Sequence, residues 1–359
     1  MSESKRGTRI QYIDVFKALA IILVVLSHVE YAKEAKAWIA SFAMPAFFFI
    51  SGSLLKTVPG TMKTERAFCI KKFLSLMIPY FAWALIYHAI WALTNMSLDG
   101  RRLIHLLYGS HQSLGKVHTL TSLWFLPVLF LAMVLFSLCR LTLGNIQKLP
   151  VKLILAVVFL SVGGMLPKLD NGYPWGVNLA PTAFGFIMLG NALFPLLERM
   201  RQRLNGKGGL AILIVATATC FVATLSYRFN IPENGYIHVA EAAYGNYLLF
   251  LLTGVIGTAF MLFISLTIDR MIPEGLMAIR SFFSFLGRNT LCTFVTHKLF
   301  IRVFEGLFHA VRVPNAVALI VTSVGTIVGC CLAALVIERY LPILAGRVPD
   351  KKAKRQKKG

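Results

Sequence analysis

Long apolar stretches separated by short polar segments dominate this sequence. A helix needs about 20 apolar residues to cross a bilayer, and about ten stretches approach that length. The pattern predicts membrane-spanning helices at about 12–29, 37–55, 73–94, 122–140, 151–165, 177–197, 208–226, 244–268, 281–304 and 314–337. The expected fold is therefore all-α: a polytopic integral membrane protein with about ten transmembrane helices.

Composition supports this interpretation and gives it an orientation. The 359 residues are 57% hydrophobic and only 14% charged, and the mean hydropathy is +0.70, which argues against a soluble protein. Lysine and arginine concentrate on one side when the N-terminus is placed inside, so both termini are predicted to be cytoplasmic. The first apolar segment lacks an A-x-A cleavage site and is expected to remain as an anchor.

The net charge of +22 comes in large part from the final segment, "RVPDKKAKRQKKG". Such a tail next to a last transmembrane helix is typical of topology control and contact with anionic membrane lipid. No groove-reading motif accompanies it, so no nucleic-acid partner is expected. The domain prediction is a single membrane domain over 1–345 and a polybasic cytoplasmic tail over 346–359.

Two long connections on the predicted outer side, about 95–121 and 226–243, are candidates for meeting a hydrophilic substrate. The first contains His105, His111 and His118. These histidines lack i/i+4 spacing and have no cysteine or carboxylate beside them, so no metal site is expected there. The second connection carries Glu233, His238 and Glu241.

The first helix contains Asp14, Lys17 and His28, three ionisable groups that are costly to place in hydrocarbon. At about 100° and 1.5 Å per residue, the three lie on one stripe about 21 Å long. One interpretation is topological: Asp14 and Lys17 pair near the helix end, and His28 marks the interface. The other, favoured by the alignment, is a polar cavity through the membrane.

The stretch "RIQYIDVFKALAIILVVLSH" resembles the opening signature of the acyltransferase 3 family, with Arg9, Asp14, Lys17 and His28 at the matching positions. The D-x-x-K pattern of Asp14 and Lys17 resembles the pattern in the sugar O-acetyltransferase branch of that family. Three further stretches resemble family motifs in the same order: "MPAFFFISG", "LWFLPVLF" and "LGRNTLCTFVTH", the last ending at His297.

The resemblance implies a multi-pass enzyme of the bacterial inner membrane. It would transfer acetyl from acetyl-CoA to a sugar hydroxyl of a surface polysaccharide or of its lipid-linked precursor, without a metal. The catalytic candidates are His28, Asp14 and His297, with His28 acting as general base or as covalent acyl carrier. The donor-binding candidates are Lys17, Arg9, Lys71, Lys72, Arg288 and Ser51. The acceptor-binding candidates are Trp124 and His118.

Several of these residues also have structural explanations. Ser51 suits close helix packing, Trp124 suits an interfacial aromatic belt, and Lys71 and Lys72 suit the positive-inside bias. The competing function is a non-enzymatic transporter or flippase whose charged stripe moves protons or an anion. No HxxxxD pair, GxSxG elbow or P-loop points to another enzyme class. The sugar, the acyl length, the oligomeric state and the side of acceptor modification are left open.

Overall fold

A computed structural model describes residues 11–97, 99–117, 121–144, 146–206, 208–273, 275–310 and 313–347. Two predicted site residues, Arg9 and His118, lie outside these ranges, as does most of the predicted polybasic tail. No β-strand occurs in the described parts of the chain, where pairing is limited to one isolated bridge between His238 and Ala243.

The described residues form fifteen α-helices. In chain order, α1 to α15 are Gln11–His28, Lys33–Ala40, Ala43–Ser53, Met62–Lys72, Ile78–Asn95, Gly100–Tyr108, His111–Gly115, Phe125–Thr142, Leu149–Met165, Ala180–Arg203, Gly209–Thr224, Tyr247–Met271, Met277–Arg288, Thr290–Ala310 and Asn315–Tyr340. Every one of the predicted spans overlaps at least one of these helices, so the prediction of an all-α polytopic protein is confirmed.

Eight helical segments within the described residues are long and apolar enough to cross a membrane. The remaining two predicted spans correspond to α9, which is apolar but has only 17 residues, and to the region of α13 and α14. Helices α11 and α15 bury few of their residues and carry many exposed large hydrophobic side chains. Such faces are expected to contact lipid.

Two predicted spans differ from the structure. The span predicted at 73–94 begins much earlier, because α4 runs through a π-helical turn at Phe73–Met77 into α5. The span predicted at 281–304 is broken at Asn289, which separates α13 from α14. The Asn289 side chain donates to Phe285 O at 3.1 Å, capping the end of α13. His297 therefore lies only two turns into its own helix.

Helix α1 occupies the centre of the bundle and packs against α2, α3, α12, α13, α14 and α15. Its contact with α13 is close, since a Cβ on Gly287 would lie 2.2 Å from Asp14 O. The side chains of Val15, Phe16 and Ile21 are fully buried. This central position explains how a helix with three ionisable residues can remain within the membrane: they face protein rather than lipid.

Helices α3 and α10 approach each other through a pair of glycines. A Cβ on Gly52 would lie 1.9 Å from Ile187 O, and one on Gly190 would lie 1.9 Å from Phe49 O. Asn191 strengthens the contact by donating to Gly52 O at 3.1 Å and to Leu55 O at 2.7 Å. Small residues are therefore required where these two backbones meet.

The connections on the predicted outer side are bound to one another. Tyr108 OH donates to Gly172 O at 2.9 Å, Ser110 Oγ donates to Asn171 O at 2.6 Å, and Trp175 Nε1 donates to Leu107 O at 2.8 Å. These bonds join the α6–α7 segment to the α9–α10 connection. They form an ordered cap over one end of the helices.

Gly52→Ala is expected to destabilise the protein by about 1–3 kcal/mol, because the new methyl group would overlap the α10 backbone. The matched control is Gly306→Ala in α14, where a Cβ would meet open space and the change should be neutral or slightly stabilising. Thermal unfolding of the detergent-purified protein measures both effects. Equal melting temperatures for the two variants would contradict the proposed α3–α10 contact.

Candidate active site

Lys17 and His28 open onto two different cavities along α1. His28 lines a cavity of about 290 Å³, called the outer cavity because the predicted topology places it outside. Lys17 lines a second cavity of about 150 Å³, called the inner cavity. The two residues are separated by about 16 Å along the helix. The predicted polar stripe therefore meets two chambers rather than a single continuous channel.

His28, the last residue of α1, is exposed to the outer cavity. Its Nδ1 lies 2.8 Å from Val24 O. Because a carbonyl oxygen can only accept, Nδ1 must carry the hydrogen of this bond. In the neutral ring, Nε2 then presents its lone pair and can accept a proton.

His297 lies next to His28. Their ring centroids are 4.9 Å apart and the rings meet edge to face. His297 is fully buried, and its Nδ1 lies 2.8 Å from Phe294 O, to which it donates. Its Nε2 is buried and has no hydrogen-bond partner among the described residues. A buried polar atom without a partner is costly, and among the described residues His297 lines neither cavity.

The inner cavity combines one ammonium group with apolar walls. Its lining includes two polar residues, Lys17 on α1 and Ser51 on α3. Phe47, Leu76 and Leu129 contribute apolar surface. Ser51 Oγ donates to Phe47 O within its own helix. Ser51 thus lines the cavity, while the neighbouring Gly52 provides the close helix packing.

Aromatic side chains form the partition between the cavities. Phe294 lines both of them, whereas Trp124 lines only the outer cavity and Phe125 only the inner cavity. The Phe125 and Phe294 rings are 5.2 Å apart. Trp124 is buried, with 8% of its surface exposed. It therefore faces the cavity instead of forming an interfacial belt.

Asp14 is positioned differently from the other two members of the stripe. It is buried at 3% exposure and faces α13, where Ser284 Oγ donates to its Oδ2 at 3.4 Å. It lines neither cavity as the described residues define them. The expectation that all three groups face one channel is wrong for Asp14, because the close approach of Gly287 places α13 over this part of α1.

The other basic donor-site candidates lie at the ends of α4 and α13. Lys71 is exposed, and Lys72 is partly buried with its Nζ over the Phe68 ring at 5.5 Å. Lys72 lies close enough to Lys71 and Lys17 for their charges to act on it, and Lys17 is the member of this positive region that lines the inner cavity. Arg288 ends α13 in an exposed position, and its Nε donates to Ser284 O.

A second cluster at the outer cavity was missed by the sequence analysis. His111 Nδ1 and His238 Nδ1 each lie 3.1 Å from a different oxygen of Glu241, and both histidines line the cavity. Contact with His111 is the main reason that the pKa of Glu241 falls to about 2. Burial, assisted by His111, lowers the pKa of His238. The i, i+3 spacing of His238 and Glu241 was the available signal.

Comparison with protein families agrees with this architecture. A family model described as an acyltransferase domain, Acyl_transf_3, matches residues 10–335. The chain belongs to the acyltransferase 3 family. This acyltransferase is therefore a multi-pass membrane enzyme, and the matched region contains both histidines and both cavities. No curated protein matches its sequence significantly.

The two cavities of this acyltransferase are expected to be reached from opposite sides. In a chain whose native cysteines have been replaced, Ser27→Cys in the outer cavity should react with a charged thiol reagent added outside. Ser51→Cys in the inner cavity should react only when the reagent is added inside. Mass shifts measured on right-side-out and inverted vesicles test this expectation.

Ser265→Cys provides the control for these labelling experiments, because Ser265 is fully buried and should remain unmodified from either side. Labelling of both cavity positions from the same side would contradict the arrangement of two separate chambers.

Proposed function

We propose that this acyltransferase is an O-acetyltransferase of the bacterial inner membrane. It transfers acetyl from acetyl-CoA to a sugar hydroxyl of a surface polysaccharide or of its lipid-linked precursor. The observation that carries the proposal is the pair of cavities along α1, with a basic region at one and two adjacent imidazoles at the other.

The inner cavity suits the donor. Coenzyme A combines phosphate groups with a thin pantetheine arm, and the phosphates would bind the positive region of Lys71, Lys72 and Lys17. The arm and its thioester would enter the apolar chamber lined by Phe47 and Leu129. Such a division places charge at the membrane surface and the uncharged part of the donor within the bilayer.

The outer cavity suits a hydroxyl-rich acceptor. Its wall combines hydrogen-bonding groups with aromatic surface from Trp124 and Tyr236. Lys36 and Lys298 also line it; Lys36 Nζ lies 4.2 Å above the Tyr236 ring, and Lys298 Nζ donates to Thr121 Oγ1. Aromatic faces and convergent donors are typical of sites that orient polar ligands.

His28 is positioned to perform the chemical step. Its Nε2 would take the proton of the acceptor hydroxyl while the oxygen attacks the thioester carbonyl carbon. The new C–O bond forms, the C–S bond breaks, and the thiolate of coenzyme A receives the proton from the imidazolium. Transient transfer of the acetyl group to His28 Nε2 is the covalent version of the same step.

His297 would support this step by positioning His28. Its Nδ1–H is fixed to Phe294 O and its ring packs edge to face against the His28 ring, so it would hold the His28 imidazole in place. Asp14 lies outside both cavities, so its proposed part is to fix the α1–α13 contact rather than to touch the reacting groups. No specific contact among the described residues favours the transporter alternative.

Replacing His28 by alanine should lower acetyl transfer by at least about 100-fold, because general bases contribute roughly 10²–10⁴-fold to rates. Membranes containing each variant would be supplied with labelled acetyl-CoA, and labelled glycan would be measured. The control is His88→Ala on α5, whose ring stacks against Trp91 outside both cavities.

Equal labelling by His28→Ala and wild type would exclude an essential role for His28. A folded wild-type protein that never consumes acyl-CoA would exclude the enzyme function.

The double variant Lys71→Gln/Lys72→Gln should raise the KM for acetyl-CoA about tenfold and change kcat little, because phosphate contacts bind donor and transition state equally. Lys63→Gln, an exposed lysine on the same helix, is the matched control and should retain the wild-type KM. Steady-state kinetics with varied acetyl-CoA measure both values. An unchanged KM in the double variant would remove these lysines from the donor site.

A further inference from the structure

The cluster of His111, His238 and Glu241 is unusual because it gathers two imidazoles and a carboxylate at one cavity wall. The three groups offer one ligand atom each, and these atoms all lie within 4.8 Å of one another. The His111 and His238 rings are 4.6 Å apart, centre to centre. Ligands of a tetrahedral zinc ion lie about 3.4 Å from each other when bonds are about 2.0–2.1 Å long. The cluster therefore needs only small adjustments to reach that geometry.

The backbone holds these ligands in place from two directions. His238 and Ala243 exchange two backbone hydrogen bonds of 2.9 and 3.1 Å, and Ala242 has a left-handed φ of 52°. This tight turn presents His238 and Glu241 together. His111 begins α7, whose N-cap Ser110 accepts a bond from Ser113 N and is itself fixed to Asn171 O. Ordered ligands favour metal binding because little freedom is lost.

The Nδ1 atom of His111 indicates that the contacts within the cluster leave one hydrogen-bonding group unsatisfied. His111 Nδ1 is 3.1 Å from Glu241 Oε1, yet it is buried and forms no hydrogen bond of acceptable geometry with any described residue. A buried nitrogen without a hydrogen bond is costly unless another group satisfies it. A cavity of about 10 Å³, lined by His111 and Glu241, adjoins this point.

We propose that His111, His238 and Glu241 bind a zinc ion at the wall of the outer cavity. Two imidazoles and one carboxylate are a ligand set that zinc prefers, and three protein ligands leave a fourth position open. Both histidines line the cavity that contains His28, so the open position is available to a ligand within it.

The role of the ion rests on the proposed function. An oxygen atom of the sugar acceptor would occupy the open position and be oriented toward the His28 imidazole. Zinc binding itself does not require acyl transfer. A protein that binds zinc and transfers no acetyl would overturn the proposed function and leave the metal site intact.

The test uses the full chain, purified in detergent with a histidine-free affinity tag and stripped of metal with EDTA. After addition of zinc chloride and removal of excess ion, mass spectrometry of the metal content should give about one zinc per chain. Cobalt chloride should give the visible absorption of a four-coordinate site. His238→Gln and Glu241→Gln should each weaken zinc binding by at least about 100-fold. Loss of a residue that only hydrogen-bonds to a zinc ligand would have a smaller effect.

The control is His105→Gln, which removes a histidine from the same outer segment. His105 Nδ1 contacts Ser113 Oγ and is not part of the cluster, so this variant should bind zinc as wild type does. Size-exclusion profiles identify any variant that fails to fold, and the wild-type cobalt spectrum then decides alone. Absence of zinc and cobalt binding in the wild type, or undiminished binding in Glu241→Gln, would overturn the proposal. The three residues would then be a structural ion-pair cluster.

Discussion

Helix α1 has to keep an acid, an amine and an imidazole away from lipid, and the helices around it are arranged to meet that requirement. Unpaired ionisable groups in hydrocarbon are costly. Asp14 is covered by α13, Lys17 opens to the inner cavity, and His28 opens to the outer cavity beside His297. Each solution depends on close packing of α1 against α13 and α14. The site is thus a consequence of how the bundle accommodates this one helix.

Hydropathy was sufficient to predict the helices, because a bilayer permits few alternatives for an apolar segment of about 20 residues. It could not predict the break at Asn289. The residues on either side are apolar enough to continue the helix, and the interruption depends on a side-chain cap and on packing against α1. Helical spacing likewise placed Lys17 and His28 on one stripe, and each of them lines a cavity. It could not reveal that α13 covers Asp14, since the position of a neighbouring helix is a tertiary property.

The cluster at the outer cavity illustrates a second limit of sequence reasoning. His111 was weighed only against histidines near it in the chain, and those do not converge. His105 contacts Ser113, and His118 lies outside the described residues. The true neighbours of His111 come from a loop more than a hundred residues later. Local spacing can identify residues that converge on one helix or turn, as with His238 and Glu241. It cannot show that residues from two separate loops of the chain lie together.

In the proposed reaction, the aromatic partition would give the two cavities different parts. Phe294 lies between the chamber suited to the donor and the chamber that holds His28, and Phe125 packs against it. That proposed transfer requires the thioester to meet the acceptor, so the acetyl group would have to pass this boundary or Phe294 would have to turn aside. Rotation of one aromatic side chain is small compared with movement of whole helices. A closed partition would also keep water from the thioester until both substrates are bound, which favours transfer over hydrolysis.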